Sequence, residues 1–232
     1  MKGRVIVVTG AFGALGRVTA GLASRGGHLV AALDASGEPP EGLVGQIGAC
    51  GVLLGGTDLL RPEEAKRAMT EVATRCGRID ALVNLAGGFA SETVEDGDAA
   101  SWRRLYDLNV TTTLNATKAA LPHLLASGAG RIVNVGAGSA LRATHGMGAY
   151  GASKAAVLRL TESLADEVKL KNVTVNAVLP SIIDTPANRA AMPKADFGRW
   201  VAPEDLAAVI LFLASEAARA VTGALIPVNG RL

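Results

Sequence analysis

Short apolar runs alternate with segments of helical spacing along the whole chain. The first run, "RVIVVTG" at residues 4–10, is rich in β-branched residues and closes on glycine, which is typical of a strand buried on both faces. The next segment, "ALGRVTAGLASRG" at 14–26, has helical spacing and ends in glycine, a common helix stop. The chain therefore begins with a strand, a turn and a helix.

The same alternation continues to the end of the chain. Further strands are predicted at "HLVAALD", "GVLLGG", "IDALVNLAG", "RIVNVGAG", "VTVNAVLP" and "ALIPVNG". Helices are predicted at 61–77, about 101–127, about 148–171 and 203–215, and the proline- and glycine-rich stretch 35–50 indicates a connection with at most a weak helix. Strands joined by crossover helices predict an α/β fold in one domain spanning 1–232. Its core is a Rossmann-type, doubly wound parallel sheet of about seven strands with helices on both faces.

Composition narrows the classes of function. Lys and Arg total 23 against 21 Asp and Glu, without a basic run, and aromatic residues make up 3%, so no nucleic-acid partner is expected. Cys50 and Cys76 are isolated, which fits a reduced cytoplasmic protein, and the spacing of His28, His123 and His145 predicts no metal site. No run reaches the ~20 apolar residues that span a bilayer, so no membrane partner is expected either.

The stretch "TGAFGALG" at 9–16 lies between the first strand and the first helix. Glycines let the backbone bend sharply and approach a pyrophosphate at the helix N-terminus, so the turn predicts a dinucleotide site. Asp34 closes the second strand, 24 residues after Gly10. A carboxylate there accepts hydrogen bonds from the ribose hydroxyls and repels a 2′-phosphate. We therefore expect NAD(H) as the preferred cofactor, with NADP(H) as the alternative because Arg17 lies nearby.

Tyr150 and Lys154 are four residues apart on the predicted helix 148–171, so they share one face of it. A free phenol titrates near ~10, and a nearby ammonium favours the deprotonated form, which moves the phenol pKa toward working pH. The pair therefore indicates proton transfer to a small-molecule substrate.

Several motifs follow one another along the chain: the glycine turn, "TD" at 57–58, "LAG" at 85–87, "LNV" at 108–110, "YGASK" at 150–154, and Pro180 with Thr185. In this order they resemble the short-chain dehydrogenases/reductases, and the similarity extends from the first strand to "VTGALIPVNG" near the end. The resemblance implies an NAD(P)-dependent oxidoreductase. It also implies a homodimer or homotetramer formed through the two long helices, 101–127 and 148–171.

The resemblance gives roles to the matching residues. Tyr150 is expected to donate the proton, and Lys154 to bind the nicotinamide ribose and lower the pKa of the tyrosine. Asn109 is expected to hold a water in a proton relay. The cofactor contacts are expected at Gly10, Phe12, Gly13, Ala14, Leu15, Gly16, Asp34, Asp58, Leu59, Ala86, Gly87, Pro180, Ile183 and Thr185, together with Tyr150 and Lys154.

Three departures from the family pattern carry further information. Ala14 and Leu85 stand where the family usually has glycine and asparagine, and Ala137 stands where it usually has serine, thirteen residues before the tyrosine. These departures, the extra Gly88 and the stretch "TPANRAAMPKADFGRW" at 185–200 are similar to the dihydropteridine reductases of the family. The stretch belongs to the loop of about 181–202, which the resemblance places over the substrate.

The substrate pocket is expected to include Phe89, Ala137, Met147, Met192 and Trp200. Phe89 follows the fourth strand at its carboxyl end, where ligands bind in such sheets, and its ring can stack on a flat substrate. An alternative for Met192, Phe197 and Trp200 is a local cluster that only anchors the loop.

The absence of the usual serine bears on which acceptor the enzyme reduces, because the candidate acceptors differ in how many hydrogen-bond donors they need. A carbonyl that develops negative charge gains from two donors, and losing one costs about 3 kcal/mol. A quinonoid dihydropterin takes hydride into a conjugated ring, so one acid plus water suffices, and we expect a reductase of such a flat acceptor. One alternative is a general ketone or 3-oxoacyl reductase or an alcohol dehydrogenase, with Ser139 or a backbone group replacing the serine. Another is a non-catalytic NAD-binding sensor.

Overall fold

Seven parallel strands form one sheet in a computed structural model that describes residues 3–232. They are β1 (Val5–Thr9), β2 (Leu29–Leu33), β3 (Val52–Leu54), β4 (Ala81–Asn84), β5 (Arg131–Val135), β6 (Thr174–Pro180) and β7 (Leu225–Val228). The order across the sheet is β3-β2-β1-β4-β5-β6-β7, and every neighbouring pair is parallel. This confirms the predicted doubly wound sheet. Its topological switch lies between β1 and β4, where open sheets of this kind bind ligands.

Helices cover both faces of the sheet. They are α1 (Ala14–Arg25), α2 (Leu43–Ile47), α3 (Pro62–Cys76), α4 (Ala99–Tyr106), α5 (Thr112–Ala126), α6 (Gly148–Val168), α7 (Pro186–Ala191) and α8 (Pro203–Leu213). In the part of the chain that the structure describes, no helix has both the length and the apolar character needed to cross a bilayer.

The apolar run of β1 shows why its sequence does not alternate with polar residues. Val5 and Val7 pack into the core under α3, α5 and α6, while Ile6 and Val8 pack into the core under α1 and α8. Because successive side chains of a strand point to opposite faces, a strand with helices on both sides needs apolar residues at every position.

The helix expected at about 101–127 is divided by one π-helical turn. α4 leads directly into the π turn Asp107–Thr111, which leads into α5. A π turn inserts an extra residue into the helical ladder and is frequent at functional sites. Here it carries Asn109, one of the predicted catalytic residues, and hydrophobic spacing alone does not indicate it.

The loop expected at about 181–202 contains regular structure that the sequence interpretation did not predict. Thr185 caps α7 by accepting a hydrogen bond from the Asn188 backbone N–H, and Pro186 occupies the first helical position. A short 3₁₀ turn, Phe197–Arg199, follows α7. The cap residue and the proline are ordinary helix-start signals, and they lie in the letters "TPAN".

Candidate active site

A cavity of about 530 Å³ lies just beyond the carboxyl ends of β1 to β4, beside the topological switch. Eight of its lining residues were predicted to contact cofactor: Gly10, Phe12, Gly13, Asp34, Asp58, Leu59, Ala86 and Gly87. The other seven are Ala35, Ser36, Thr57, Leu60, Leu85, Leu108 and Thr112. All but Ser36 and Thr112 adjoin a predicted residue or belong to a quoted motif, so they could have been included from the sequence, and Ser36 lies two residues after Asp34. Thr112 carries no such signal.

The glycine turn has the geometry that a dinucleotide needs. Gly10 has φ +61°, and a Cβ there would lie 2.7 Å from Ala86 N, so a side chain does not fit. A Cβ on Gly16 would lie 2.2 Å from the carbonyl oxygen of Gly10. Gly13 precedes α1, and no side chain caps the first turn of that helix. The first N–H groups of α1 are therefore available to an anion such as a pyrophosphate.

Asp34 is held in place at the cavity wall. One carboxylate oxygen accepts a hydrogen bond from Phe12 N at 2.9 Å, and the other accepts one from Ser36 N at 2.9 Å. Each oxygen keeps a further lone pair, so the group can still accept hydrogen bonds from a ribose. Arg17, the reason for keeping NADP(H) open, is exposed on α1 and is not among the fifteen residues that line the cavity.

The remaining predicted cofactor residues do not line this cavity. Ala14, Leu15 and Gly16 form the first turn of α1. Pro180 ends β6, and Ile183 and Thr185 follow it in the loop that precedes α7. Tyr150 and Lys154 lie on α6.

Tyr150 and Lys154 lie on one face of α6, as their spacing predicted. The Lys154 Nζ is 5.9 Å from the centroid of the Tyr150 ring, and it donates a hydrogen bond to the Val135 carbonyl at 2.9 Å. Burial raises the pKa of Tyr150 to about 12 and lowers the pKa of Lys154 to about 8. The expected lowering of the tyrosine pKa is therefore wrong for this arrangement, because loss of solvation outweighs the attraction of the ammonium. Tyr150 is a protonated acid at neutral pH.

Asn109 fixes the turn that follows β4. Its Oδ1 accepts a hydrogen bond from Gly88 N at 3.0 Å, and its Nδ2 donates to Gly88 O at 3.1 Å and to Ser153 Oγ at 3.0 Å. A Cβ on Gly87 would lie 2.6 Å from Asn109 Oδ1, so this contact requires the glycine. The side chain is thus occupied by protein partners, and its role in a proton relay stays a prediction.

The loop after β5 supplies no obvious replacement for the missing serine. Ala137 is 6% exposed. Ser139 lies in the 3₁₀ turn Gly138–Ala140. Its Oγ is buried, and no hydrogen-bond partner for it exists among residues 3–232. In this arrangement Ser139 makes no hydrogen bond to Tyr150.

Phe89 lies against Tyr150, and Met147 lies just before the helix that carries Tyr150. Phe89 is 60% exposed, and its ring meets the Tyr150 ring edge-on, with 5.0 Å between centroids and 78° between planes. Met147 immediately precedes α6, three residues before Tyr150, and forms an isolated β-bridge with Glu92. The structure thus brings Phe89 to Tyr150, while Met147 is near Tyr150 along the chain.

Trp200 belongs to a cluster within the loop. It is 7% exposed, and its ring lies 4.8 Å from that of Phe197. The guanidinium of Arg189 stacks 4.8 Å from the Phe197 ring and pairs with Asp184 through two hydrogen bonds. These contacts favour the anchoring alternative for Phe197 and Trp200. Met192 follows α7 and is half-buried.

This chain combines three features: a cavity at the switch point, a glycine turn at the start of a helix, and a Tyr–Lys pair near the cavity. The family model described as short chain dehydrogenase matches residues 4–196. The chain belongs to the short-chain dehydrogenase family. It is therefore an oxidoreductase of that family.

Similar proteins cover its whole length. The 3-oxoacyl-[acyl-carrier-protein] reductase FabG of Thermotoga maritima is 33% identical, over 100% of this chain and 98% of its own. The 7alpha-hydroxysteroid dehydrogenase of Bacteroides fragilis is also 33% identical, over 100% and 95%. Among solved structures, a 3-ketoacyl-(acyl-carrier-protein) reductase from Brucella melitensis, complexed with NADH, is 28% identical with a TM-score of 0.88, over 99% and 98%.

Proposed function

We propose that this short-chain dehydrogenase is an NADH-dependent reductase of a flat, conjugated acceptor such as quinonoid dihydropterin. The observation that carries the proposal is the composition of the reacting centre. Tyr150 is the acid, Ala137 occupies the place of the usual second donor, and the exposed ring of Phe89 lies beside the tyrosine.

The preference for NADH rests on Asp34. Its carboxylate is fixed at the cavity wall by two backbone N–H groups. A fixed negative charge there accepts hydrogen bonds from both ribose hydroxyls and repels a phosphate on one of them. Bound cofactor would supply the hydride, and the uncapped first turn of α1 would hold its pyrophosphate.

The acceptor class follows from what Tyr150 can do by itself. Reduction of a simple ketone concentrates charge on one oxygen, and each donor that stabilises it contributes on the order of 10²–10³ in rate. A conjugated ring spreads this charge and takes its proton on nitrogen. One phenol beside an aromatic wall is sufficient for that acceptor, and the ring of Phe89 offers a stacking surface.

A general ketone or 3-oxoacyl reductase, or an alcohol dehydrogenase, is the second candidate. It is favoured by the names of the similar proteins, which include a 3-oxoacyl reductase and a hydroxysteroid dehydrogenase. In that case Ser139 or a backbone N–H must turn toward the substrate. A non-catalytic NAD-binding sensor is disfavoured, because Tyr150, Lys154 and Asn109 are all present around one point.

The test is NADH oxidation by the wild-type protein against quinonoid dihydropterin, a ketone panel and a quinone panel. Ala137→Ser and Ser139→Ala are measured beside it. We expect turnover of the pterin, little effect of either substitution on that reaction, and a gain on ketones in Ala137→Ser. Efficient ketone reduction that falls about a hundredfold in Ser139→Ala, the size of a lost oxyanion donor, would establish the second candidate instead.

We also propose a homodimer or homotetramer that pairs α4, α5 and α6 with their copies. Trp102 and Tyr106 on α4 and Leu114 on α5 are large side chains that are exposed in the single chain. Light scattering with a Trp102→Glu variant tests this pairing, since a charge in an apolar interface is expected to dissociate it.

A further inference from the structure

The segment after β3 forms one wall of the proposed cofactor cavity, and its backbone has few partners of its own. Thr57, Asp58, Leu59 and Leu60 all line the cavity. Within this segment, Thr57 N donates to the Asp34 carbonyl at 2.8 Å, and Arg61 N donates to the Asp58 carbonyl at 3.1 Å. The shape of the wall therefore depends on side chains that reach it from elsewhere.

Asn115 on α5 is the first of these side chains. Its Nδ2 donates to the carbonyl oxygen of Leu59 at 2.9 Å and to that of Leu60 at 3.2 Å. One amide group thus binds two consecutive carbonyls in a segment 55 residues away along the chain. The same helix lines the cavity directly through Thr112, three residues earlier and on the same face.

Glu64 at the start of α3 holds the segment from the other side. Its Oε2 accepts a hydrogen bond from Asp58 N at 3.0 Å, and its Oε1 accepts one from the Arg61 guanidinium at 2.9 Å. The bond from Asp58 N is the main cause of the lowered pKa of Glu64. Asp58, a predicted cofactor contact, is therefore fixed through its backbone as well as by its own carboxylate, which accepts from Leu60 N.

We propose that Asn115 is a positioning residue that sets the affinity of this enzyme for the adenine half of its cofactor. The inference rests on the proposed cofactor role of the cavity. The pyrophosphate is assigned to the start of α1 beside β1, and the adenosine ribose to Asp34 at the end of β2. The base then extends toward β3, the next strand outward, where the segment held by Asn115 forms the wall.

The decisive variant is Asn115→Asp, which keeps the shape but places an oxygen against two carbonyl oxygens. Cofactor-free protein is titrated with NADH and, separately, with AMP, which carries only the adenine half. We expect both to bind about tenfold more weakly, the effect of losing roughly one to two net hydrogen bonds. The turnover at saturating NADH should stay unchanged while KM for NADH rises.

Asn172→Asp is the matched control. Asn172 also donates its amide to a carbonyl, that of Gly128, but it precedes β6, which four strands separate from β3 in the sheet. It should leave AMP affinity unchanged. Glu64→Ala tests the same wall by a second variant. It removes the side chain that accepts the hydrogen bond from Asp58 N, and it lies at an exposed helix start. It should weaken AMP binding in the same direction even if Asn115→Asp fails to fold.

The outcomes separate the two proposals. If wild-type protein binds neither NADH nor AMP, the cofactor assignment fails and the role of Asn115 fails with it. If wild type binds both, and folded Asn115→Asp and Glu64→Ala bind AMP as tightly as wild type, the cofactor assignment stands and the positioning role is wrong. A lower melting temperature with unchanged AMP affinity likewise overturns it, because that is the result of a purely structural contact.

Discussion

Replacing Lys154 with methionine should make the cofactor-free protein less dependent on pH while destroying its activity. Lys154 is buried on α6, and burial lowers its pKa from 10.5 to about 8. Below pH 8 the lysine is charged in both the folded and the unfolded state, so the folded state bears the full cost of burying the ammonium. Between pH 8 and 10.5 the unfolded state binds more protons, and the stability of the wild-type protein therefore rises with pH.

The magnitude follows from these two pKa values. The cost of the buried charge is about 3 kcal/mol at pH 7 and falls to about 1 kcal/mol at pH 10, so wild type should gain about 2–3 kcal/mol over this range. Lys154→Met removes the cost but leaves the Val135 carbonyl without its donor, a loss of about 1–3 kcal/mol. Its net stabilisation at pH 7 is therefore about 0–2 kcal/mol, with no comparable gain on raising the pH.

The assay is denaturant unfolding of wild type and Lys154→Met at intervals from pH 7 to 10, without cofactor. The range stops at pH 10 because Tyr150 acts with the opposite sign above it. Its pKa is raised from 10 to about 12, so the folded state keeps a proton that the unfolded state releases, and stability falls. Parallel stability curves for the two proteins would refute the reasoning, since the charge on Lys154 would then carry no cost.

Three further substitutions have expected outcomes. Tyr150→Phe should lower turnover by roughly 10²–10⁴ with nearly unchanged NADH affinity, which steady-state kinetics and a binding titration measure together. Asp34→Ala should weaken NADH binding and narrow its advantage over NADPH; tighter NADPH binding by wild type would contradict the assignment. Ser139→Ala should leave thermal stability equal or higher, because it removes a buried hydroxyl without a partner, a group that costs about 1–3 kcal/mol. A marked loss of stability would show that the hydroxyl is satisfied in solution.

The sheet could be predicted because the same alternation of apolar strands and amphipathic helices repeats along the sequence. Buried strands such as β1 are short runs of apolar residues, and the long crossover helices have apolar residues at helical spacing. The π turn at 107–111 and the helix α7 were missed for different reasons. The π turn is a single inserted residue, which barely disturbs the spacing, whereas the cap and proline of α7 were present but lay inside a stretch already interpreted as a loop.

Residues that would contact the ligand directly could be predicted from the sequence. Residues that only shape the protein around the ligand could not. Glycines of the turn and Asp34 follow from the shape and charge of a dinucleotide. Asn115 and Glu64 hold the cavity wall through backbone groups of another segment, and no local pattern connects them to it. The direction of the Tyr150 pKa was missed for the same reason, since it depends on burial by the whole fold.

The two pKa shifts and the missing serine are consistent with one kind of chemistry. Burial disfavours a charge on either Tyr150 or Lys154, and the phenol in particular stays protonated at neutral pH. A ketone would add an oxyanion to this centre with one donor instead of two, because Ala137 has no hydroxyl and that of Ser139 is enclosed. A conjugated acceptor spreads the charge of the hydride over its ring, and its nitrogen becomes more basic at the same time. Such an acceptor needs only one proton donor, the Tyr150 hydroxyl. We expect a neutral phenol beside an exposed aromatic ring to meet that demand, so that alanine in place of the serine remains compatible with turnover.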